Sequence, residues 1–471
     1  MAERSDAPAM RWWGWGDPQH PPALPAHALA FLRSRAGIES SVRAVVALEA
    51  VRLPPSRLSQ TLLDRLRRVL GSDAVRDGHR ERVLHAAGKG YPDLVRMRSG
   101  EPEAAPDAVL LPSSREHVRA VLDLCAHESV ALVPFGGGTS VVGGVAPLAG
   151  EHAGVVSLDM GAMGSVTTLD RDALTVTVQG GIRAPALERY LAQRGLTLGH
   201  FPQSYEYVSL GGAAATRSAG QASTGYGSIE KMVLGMRFAA PAAELELAAM
   251  PASAAGPSVR ALLVGSEGAL GVFTELDLRL REAPRERSYE GVFFESFAAG
   301  VQALRTLARA HALPDVARLS DEQETSMSLA LAGTSGAKAI LGRAYLRLRG
   351  YSGGCLAIVG FEGAAEEVAF RRGRARPVMR AAGGLPVGHS PGAAWLRSRF
   401  EGPYLRDELL SNGVMVETLE TAAQWSRLHA LHREVGRAIT EALRGLGTPG
   451  IVMCHVSHVY ETGASLYFTF I

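Results

Sequence analysis

With 471 residues, 46% of them hydrophobic, the chain is too long for one ordinary core and apolar enough to fill two or three, so a globular protein of several domains is expected. Its 49 basic and 47 acidic residues leave a net charge of +2 with no local basic patch, which argues against nucleic acid as a partner. Cys125, Cys355 and Cys454 lie far apart and form no CxxC pair, which argues against a disulfide framework or a thiolate metal site and favours a reducing compartment.

The first thirty residues carry Trp12, Trp13 and Trp15, interrupted by Gly14 and Gly16, and lack the apolar core of a signal peptide. No run approaches the roughly twenty apolar residues of a membrane span. A cytoplasmic location is expected. Residues 1–101 read as an N-terminal arm with short helices such as 58–70.

From Ala108 the pattern sharpens. An apolar strand over 108–111 precedes Pro112, and Ser113 stands three residues before Glu116, a capping-box spacing that predicts a helix start. Val118, Val121, Leu122 and Cys125 continue that helix as one buried stripe, and a strand over 130–133 follows. Leu174, Val176 and Val178 alternate with polar residues, the period of a half-buried strand. Pro185 suits the first turn of a helix. A strand over 272–280 places Thr274, Leu276 and Leu278 on one face.

After about residue 283 the pattern restarts. A strand over 289–294, a helix with Phe297, Val301, Leu304 and Leu307, and a strand near Val316 are followed by a strand over 356–361 and a long helix with Leu428, Leu431, Val435, Ile439 and Leu443. This order suggests an antiparallel sheet with helices on one face. The expected domains are 1–101, 102–283 and 284–471.

The loop Pro134-Phe135-Gly136-Gly137-Gly138-Thr139-Ser140 follows a buried strand and can turn successive N–H groups inward, a nest suited to a pyrophosphate. Alone, such a run is more often a plain turn. It is not a P-loop, since no Gly-Lys-Ser/Thr follows, and its glycines do not open a helix as a Rossmann fingerprint requires. Two further stretches accompany it: Pro202-Gln203-Ser204-Tyr205-Glu206-Tyr207-Val208, which leads through Gly211 and Gly212 to Thr216-Arg217-Ser218-Ala219, and Gly265-Ser266-Glu267-Gly268-Ala269-Leu270-Gly271 before Val272 and Phe273. Each could be packing between elements; together they are better explained by one large planar dinucleotide.

Tyr467 shares a strand face with Ser465 and Thr469 and could do acid–base work if its pKa were lowered, although pattern alone favours an ordinary solvent-facing tyrosine. Arg318 and Arg406 read by pattern as surface ion-pair residues. His429 and His432 on a helix, and His455 and His458 flanking a strand, read as partly exposed residues, because no third donor or carboxylate motif makes them metal ligands.

On PFGGGTS, GHFPQSYEYVSLGGAAATRSAG, YGSIEKMVLGMR, GSEGALGVFTE, ARLSDE, YLRDELL, ETLETAAQW and CHVSHVYETGASLYF, the chain resembles the alkyldihydroxyacetonephosphate synthases, ether-lipid enzymes of the vanillyl-alcohol oxidase superfamily of flavoproteins, over nearly its whole length. The resemblance implies an α+β fold: a two-subdomain PCMH-type FAD-binding domain followed by an α+β cap domain with an antiparallel sheet. It implies that 134–140, 202–208, 216–219 and 267–273 wrap FAD, that Tyr467 is the catalytic acid–base, that Arg318 is required for activity and that Arg406 binds substrate. Many relatives attach flavin covalently through a histidine in or near the first loop. None stands there in this sequence, so noncovalent FAD is expected.

The implied reaction exchanges the acyl chain of acyl-dihydroxyacetone phosphate for a fatty alcohol. The alternatives are a flavin oxidoreductase of a 2-hydroxy acid or alcohol, and an inactive FAD-binding relative. A lipid or other small-molecule substrate, peripheral membrane contact and a homodimer complete the expected partners. The family continues beyond the position of Ile471 with a histidine-rich segment. The chain is therefore expected to be a fragment or a shortened relative, with its last strand an exposed edge of the cap sheet.

Overall fold

The computed structural model describes residues 10–18, 24, 26–39, 41–331, 351, 353–448 and 450–471, and the chain divides into two units. Ala44–Gly220 and Gly227–Ala283, with 10–18, form the first; Pro284–Ile471, with Gln221–Tyr226 and the described part of Pro22–Arg43, forms the second. The segment 1–101 expected as an arm is thus shared between units, and parts of it lie outside the described residues.

The first unit holds two main sheets. Val75–Arg76 (β1), Ala108–Leu110 (β2), Val130–Phe135 (β3) and Gly154–Asp159 (β4) lie in the order β1-β2-β4-β3, with β4 parallel to both β2 and β3. The helix Arg115–His127 crosses from β2 to β3 and buries Val118, Val121, Leu122 and Cys125 against Leu110, Val156 and Leu158. A fully buried aliphatic side chain of this kind contributes on the order of 1.5–3 kcal/mol. The cap is Ser114, not the expected Ser113. Ser114 is the extended residue at which the helix begins, and its hydroxyl accepts the His117 N–H at 3.2 Å, while Ser113 Oγ sits 3.2 Å from His117 Nδ1.

Val166–Asp170 (β5), Thr175–Gln179 (β6), Val233–Ala239 (β8), Glu244–Leu247 (β9) and Val272–Arg279 (β10) make an antiparallel sheet in the order β5-β6-β10-β8-β9; Leu196–Thr197 (β7) pairs separately with Arg281–Glu282 (β11). Leu174, expected in a strand, has φ 51° and belongs to the turn before β6, where the chain must reverse from β5. Thr274, Leu276 and Leu278 are buried together, as the alternation predicts.

Among its described residues, the second unit is built on a seven-stranded antiparallel sheet. Its strands are Glu286–Phe294 (β12), Val316–Ser320 (β13), Cys355–Gly363 (β14), Leu385–Gly388 (β15), Glu417–Gln424 (β16), Val452–Val459 (β17) and Gly463–Phe470 (β18), in the order β15-β12-β14-β13-β17-β18-β16. The last strand is not an edge: β18 is paired with β17 on one side and, from Gly463 to Phe470, with β16 on the other. The expectation fails because β16 comes earlier in the chain and takes the outer position.

Helices Phe297–Arg309, Ala365–Ala381 and Trp425–Gly445 contribute to one core with alternate residues of the central strands: Ala317 and Leu319 of β13, Cys454 and Val456 of β17, and Leu466 and Phe468 of β18. Strand alternation sends the residues between them, Arg318, His455 and Tyr467, to the opposite face.

Candidate functional site

In the first unit the three glycine stretches, distant in sequence, meet. A Cβ on Gly136 would lie 2.2 Å from Ser209 Oγ, and one on Gly137 would lie 2.1 Å from the Tyr207 carbonyl oxygen, so the first loop is pressed against the second stretch. The third joins through Gly268, whose Cβ position is 3.2 Å from the Pro134 ring, and through Glu267 N–H, which donates to Ala215 O at 2.9 Å. Gly265 N–H donates to Ala214 O at 3.0 Å. Only glycine permits approaches this close.

Among the described residues, the backbone N–H groups of Gly137, Gly138 and Thr139 donate no hydrogen bond, and Ser266 Oγ is a buried hydroxyl without a partner. Unused loop amides, with a buried hydroxyl on the stretch that meets this loop through Gly268, fit the pyrophosphate and ribityl oxygens of a flavin dinucleotide, since buried polar groups demand partners. Other members of the stretches serve the protein directly. Arg217 pairs with Glu230 at 2.8 Å, Thr216 Oγ1 donates to Gly212 O at 3.0 Å, and Phe273 packs edge-on against Phe238 at 4.9 Å.

Sequence spacing does not bring a histidine to the first loop, but the fold does. The His85 ring packs 4.3 Å from that of Phe135. Its Nδ1 bonds Glu81 O at 2.8 Å and its Nε2 bonds Asp159 Oδ2 at 3.1 Å, so both ring nitrogens are engaged within the protein. Burial, the largest single influence, would raise the Asp159 carboxyl, yet the bond and charge of His85, the Gly161 N–H and the charge of Arg183 together hold the group below the usual range. Arg183 donates to the Tyr207 carbonyl oxygen and steadies the second stretch.

In the second unit a polar row crosses the sheet face. Tyr467 stands directly opposite His455 of β17 and Glu420 of β16. The His455 and Tyr467 rings are stacked, with centroids 5.0 Å apart and planes at 24°. Arg318 Nη1 lies 2.9 Å from His455 Nε2, and its Nη2 donates to Glu324 Oε1 at 2.5 Å. His455 Nδ1 meets Glu324 Oε2 at 3.1 Å. Glu420 accepts from Ser457 Oγ at 2.5 Å and lies 3.8 Å from His458 Nε2.

The electrostatics follow from burial. The Glu324 carboxyl would rise in this dry position, but His455 and the Arg318 guanidinium bring it down to about 2. Burial, with the charge of Arg318, keeps His455 below its ordinary value and hence neutral. The Tyr467 phenol is raised, not lowered as acid–base use was expected to require: burial dominates and Glu420 adds to it, against a hydrogen bond with Thr418 and the charges of Arg318 and Arg406. Tyr467 is correspondingly half-buried rather than a solvent-facing strand residue.

Arg406, on the helix Gly402–Ser411, has a side chain only 15% exposed, 3.8 Å from Asp407 Oδ1. Neither Arg318 nor Arg406 is therefore the surface ion-pair residue that pattern suggests; Arg318 spans β13, β17 and the helix Glu322–Leu331. His455 and His458 likewise lie buried inside β17 instead of flanking a strand: His455 is in register opposite Tyr467 and meets Glu324, and His458, within the register shift between Val456 and Val459, lies near Glu420. On the long helix, His432 stacks on Phe297 at 4.3 Å and reaches Asp321 at 3.3 Å. Glu324, Glu420 and Thr418 escape sequence reasoning, and His455 is read there only as a partly exposed residue, since strand register and the packing of the helix Glu322–Leu331 make them neighbours.

Two family models cover most of the chain: "FAD binding domain" over residues 106–247 and "FAD linked oxidases, C-terminal domain" over residues 283–471. Fold and site thus define an FAD-linked oxidase-family enzyme, with FAD as its cofactor. The chain is 33% identical to the alkyldihydroxyacetonephosphate synthase of Dictyostelium discoideum over 90% of its own length and 70% of that protein. It is also 33% identical to the Trypanosoma brucei brucei enzyme of the same name, over 98% and 80%. A solved alkyldihydroxyacetonephosphate synthase structure superimposes with a TM-score of 0.88 at 31% identity, covering 98% of this chain and 90% of that one. The chain belongs to the alkyldihydroxyacetonephosphate synthase family.

Proposed function

We propose that the protein exchanges the acyl chain of an acyl-dihydroxyacetone phosphate for a long-chain alcohol, a step of ether-lipid synthesis. The fatty acid leaves carbon 1 with its oxygen, the alcohol oxygen takes that place, and the alcohol proton balances the exchange, so nothing is oxidised overall. FAD, held noncovalently by 134–140, 202–208, 216–219 and 267–273, supplies the electron-accepting centre. The observation that carries the reading is the half-buried Tyr467, stacked on the His455 imidazole that Arg318 and Glu324 hold.

In this reading Tyr467 holds, at its phenol oxygen, the proton that moves to and from the carbon beside the substrate carbonyl. The two arginines counter only part of the burial, so the phenol keeps its proton until the substrate is in place. The Arg406 guanidinium offers charge-assisted hydrogen bonds to the phosphate headgroup, stronger where water is excluded. Arg318 is committed to Glu324 and His455, so its role is to fix the imidazole against which Tyr467 stacks. Among the described residues no helix is long and apolar enough to cross a membrane. A cytoplasmic location is supported by three buried free thiols, with burial pushing Cys125 up to about 12.

The test is incubation of the FAD-loaded protein with acyl-dihydroxyacetone phosphate and a long-chain alcohol, measuring ether product and released fatty acid. No ether product from a flavin-loaded preparation overturns the proposal. Bleaching of the flavin by a 2-hydroxy acid would favour the oxidoreductase alternative instead.

A further inference from the structure

The turn Arg11-Trp12-Trp13-Gly14-Trp15-Gly16 takes no part in the site described above, yet its contacts end on that site. Arg11 N–H donates to Gly16 O at 3.0 Å, closing the turn. From there one connection runs through Lys89, which is buried: its ammonium donates to Arg11 O at 3.0 Å, while its backbone N–H donates to Ser140 O, at the end of the first glycine loop, at 2.6 Å. The neighbouring Gly88 backs the same carbonyl so closely that a Cβ would lie 2.3 Å from it.

A second connection runs through Trp15, which is 3% exposed. Its indole N–H donates to Glu206 Oε2 at 3.4 Å, and its ring meets Tyr207 edge-on, with centroids 5.3 Å apart. The circuit closes inside the glycine loop, because the Tyr207 carbonyl oxygen is the atom that abuts Gly137. Trp13 anchors the turn from the other side, held between the Arg11 and Arg98 guanidinium groups at 4.9 and 4.8 Å.

We propose that this tryptophan turn, with Lys89, is a clasp that positions the first two flavin-holding stretches, 134–140 and 202–208, before FAD arrives. The inference rests on the reading that those stretches hold FAD. Glycine-rich backbone loses the most freedom on ordering, and an unclasped nest would take that loss out of the binding affinity. Packing alone does not account for Lys89, since an ammonium removed from water is costly and an apolar side chain would fill the space. Its ammonium holds the Arg11 carbonyl while its backbone N–H holds Ser140 O, so this one residue ties the turn to the first loop.

The test uses the full chain stripped of FAD and retitrated with FAD, reading flavin fluorescence for affinity, visible circular dichroism for flavin geometry and thermal unfolding of the apo-protein for the fold. Trp15→Phe keeps an aromatic ring against Tyr207 and removes the indole N–H; Lys89→Met keeps nearly the length and removes the charge. Each is expected to weaken FAD binding about tenfold, the effect of about 1.4 kcal/mol, and to change the flavin dichroism, with apo-protein unfolding close to the parent's. Gly137→Ala, which drives a Cβ into the Tyr207 carbonyl, tests the underlying reading separately.

If Gly137→Ala abolishes binding while Trp15→Phe and Lys89→Met bind FAD like the parent, the clasp is wrong and the cradle stands. If Gly137→Ala binds FAD normally, both fall. Should Lys89→Met fail to fold, Trp15→Phe decides alone, and unchanged affinity and dichroism in that variant overturn the clasp.

Discussion

The imidazole of His455 lies over the ring of Tyr467, 5.0 Å away and tilted by 24°, and the same imidazole is gripped by Arg318 and Glu324. The phenol is thereby held from one side by a group that is itself held by an ion pair, so its orientation depends on residues that need not touch the substrate.

Tyr467→Phe removes only the hydroxyl and leaves the stack intact. Ether-product formation should fall by about 10²–10⁴-fold, the usual worth of a positioned proton carrier, with FAD affinity unchanged. Product rate and flavin titration on one preparation check both halves; a variant as active as the parent removes Tyr467 from the chemistry.

Glu324→Gln leaves the Arg318 guanidinium without its counter-charge. We expect a lower kcat with little change in KM, and an altered pH profile, because His455 and Tyr467 both sit in the field of Arg318. A KM increase alone would instead assign Glu324 to substrate binding.

Acid should destabilise the second unit in two stages of the same sign. His455 is neutral in the fold with a lowered pKa, so unfolded chains take up its proton first as pH falls through about 6.5, and stability drops there. Glu324 has a depressed pKa; the stability it contributes is full above about 4.5 and is lost as pH falls toward about 2. Urea midpoints measured from pH 7 to pH 3 should decline, and Glu324→Gln should flatten the lower stage.

Arg406→Met should raise KM for the phosphate-bearing substrate by tens of fold, and Arg406→Lys should restore only part of it, since a point charge replaces a planar fork. Steady-state kinetics against a substrate analogue without phosphate supply the control: an equal loss there would show that Arg406 does not read the phosphate.

Ser114→Ala should cost about 1 kcal/mol of stability, whereas Ser113→Ala should be nearly silent, because Ser114 alone accepts the His117 N–H. Chemical denaturation distinguishes the two.

Periodic patterns carried over into structure where one chain segment suffices to define them. The stripe Val118, Val121, Leu122 and Cys125 is buried as its spacing requires, and Thr274, Leu276 and Leu278 share one buried face. Boundaries depend on single backbone angles and were less legible: the cap moved from Ser113 to Ser114, and Leu174 left its strand for a left-handed turn. Strand order was illegible, and β18 became an interior strand because β16 pairs beyond it.

For the site, the sequence by itself determined the glycine-dense stretches proposed to hold FAD, because such strand-flanked segments are local features and only glycine allows the approaches seen at Gly136 and Gly137. The tertiary structure decided the chemistry of the second unit. Arg318, Glu324, His455 and Tyr467 come from three strands and a helix, and only register and burial make the arginine an internal clamp, the histidine neutral and the phenol a held proton. A pKa belongs to a surrounding, and strand pairing between distant segments builds that surrounding.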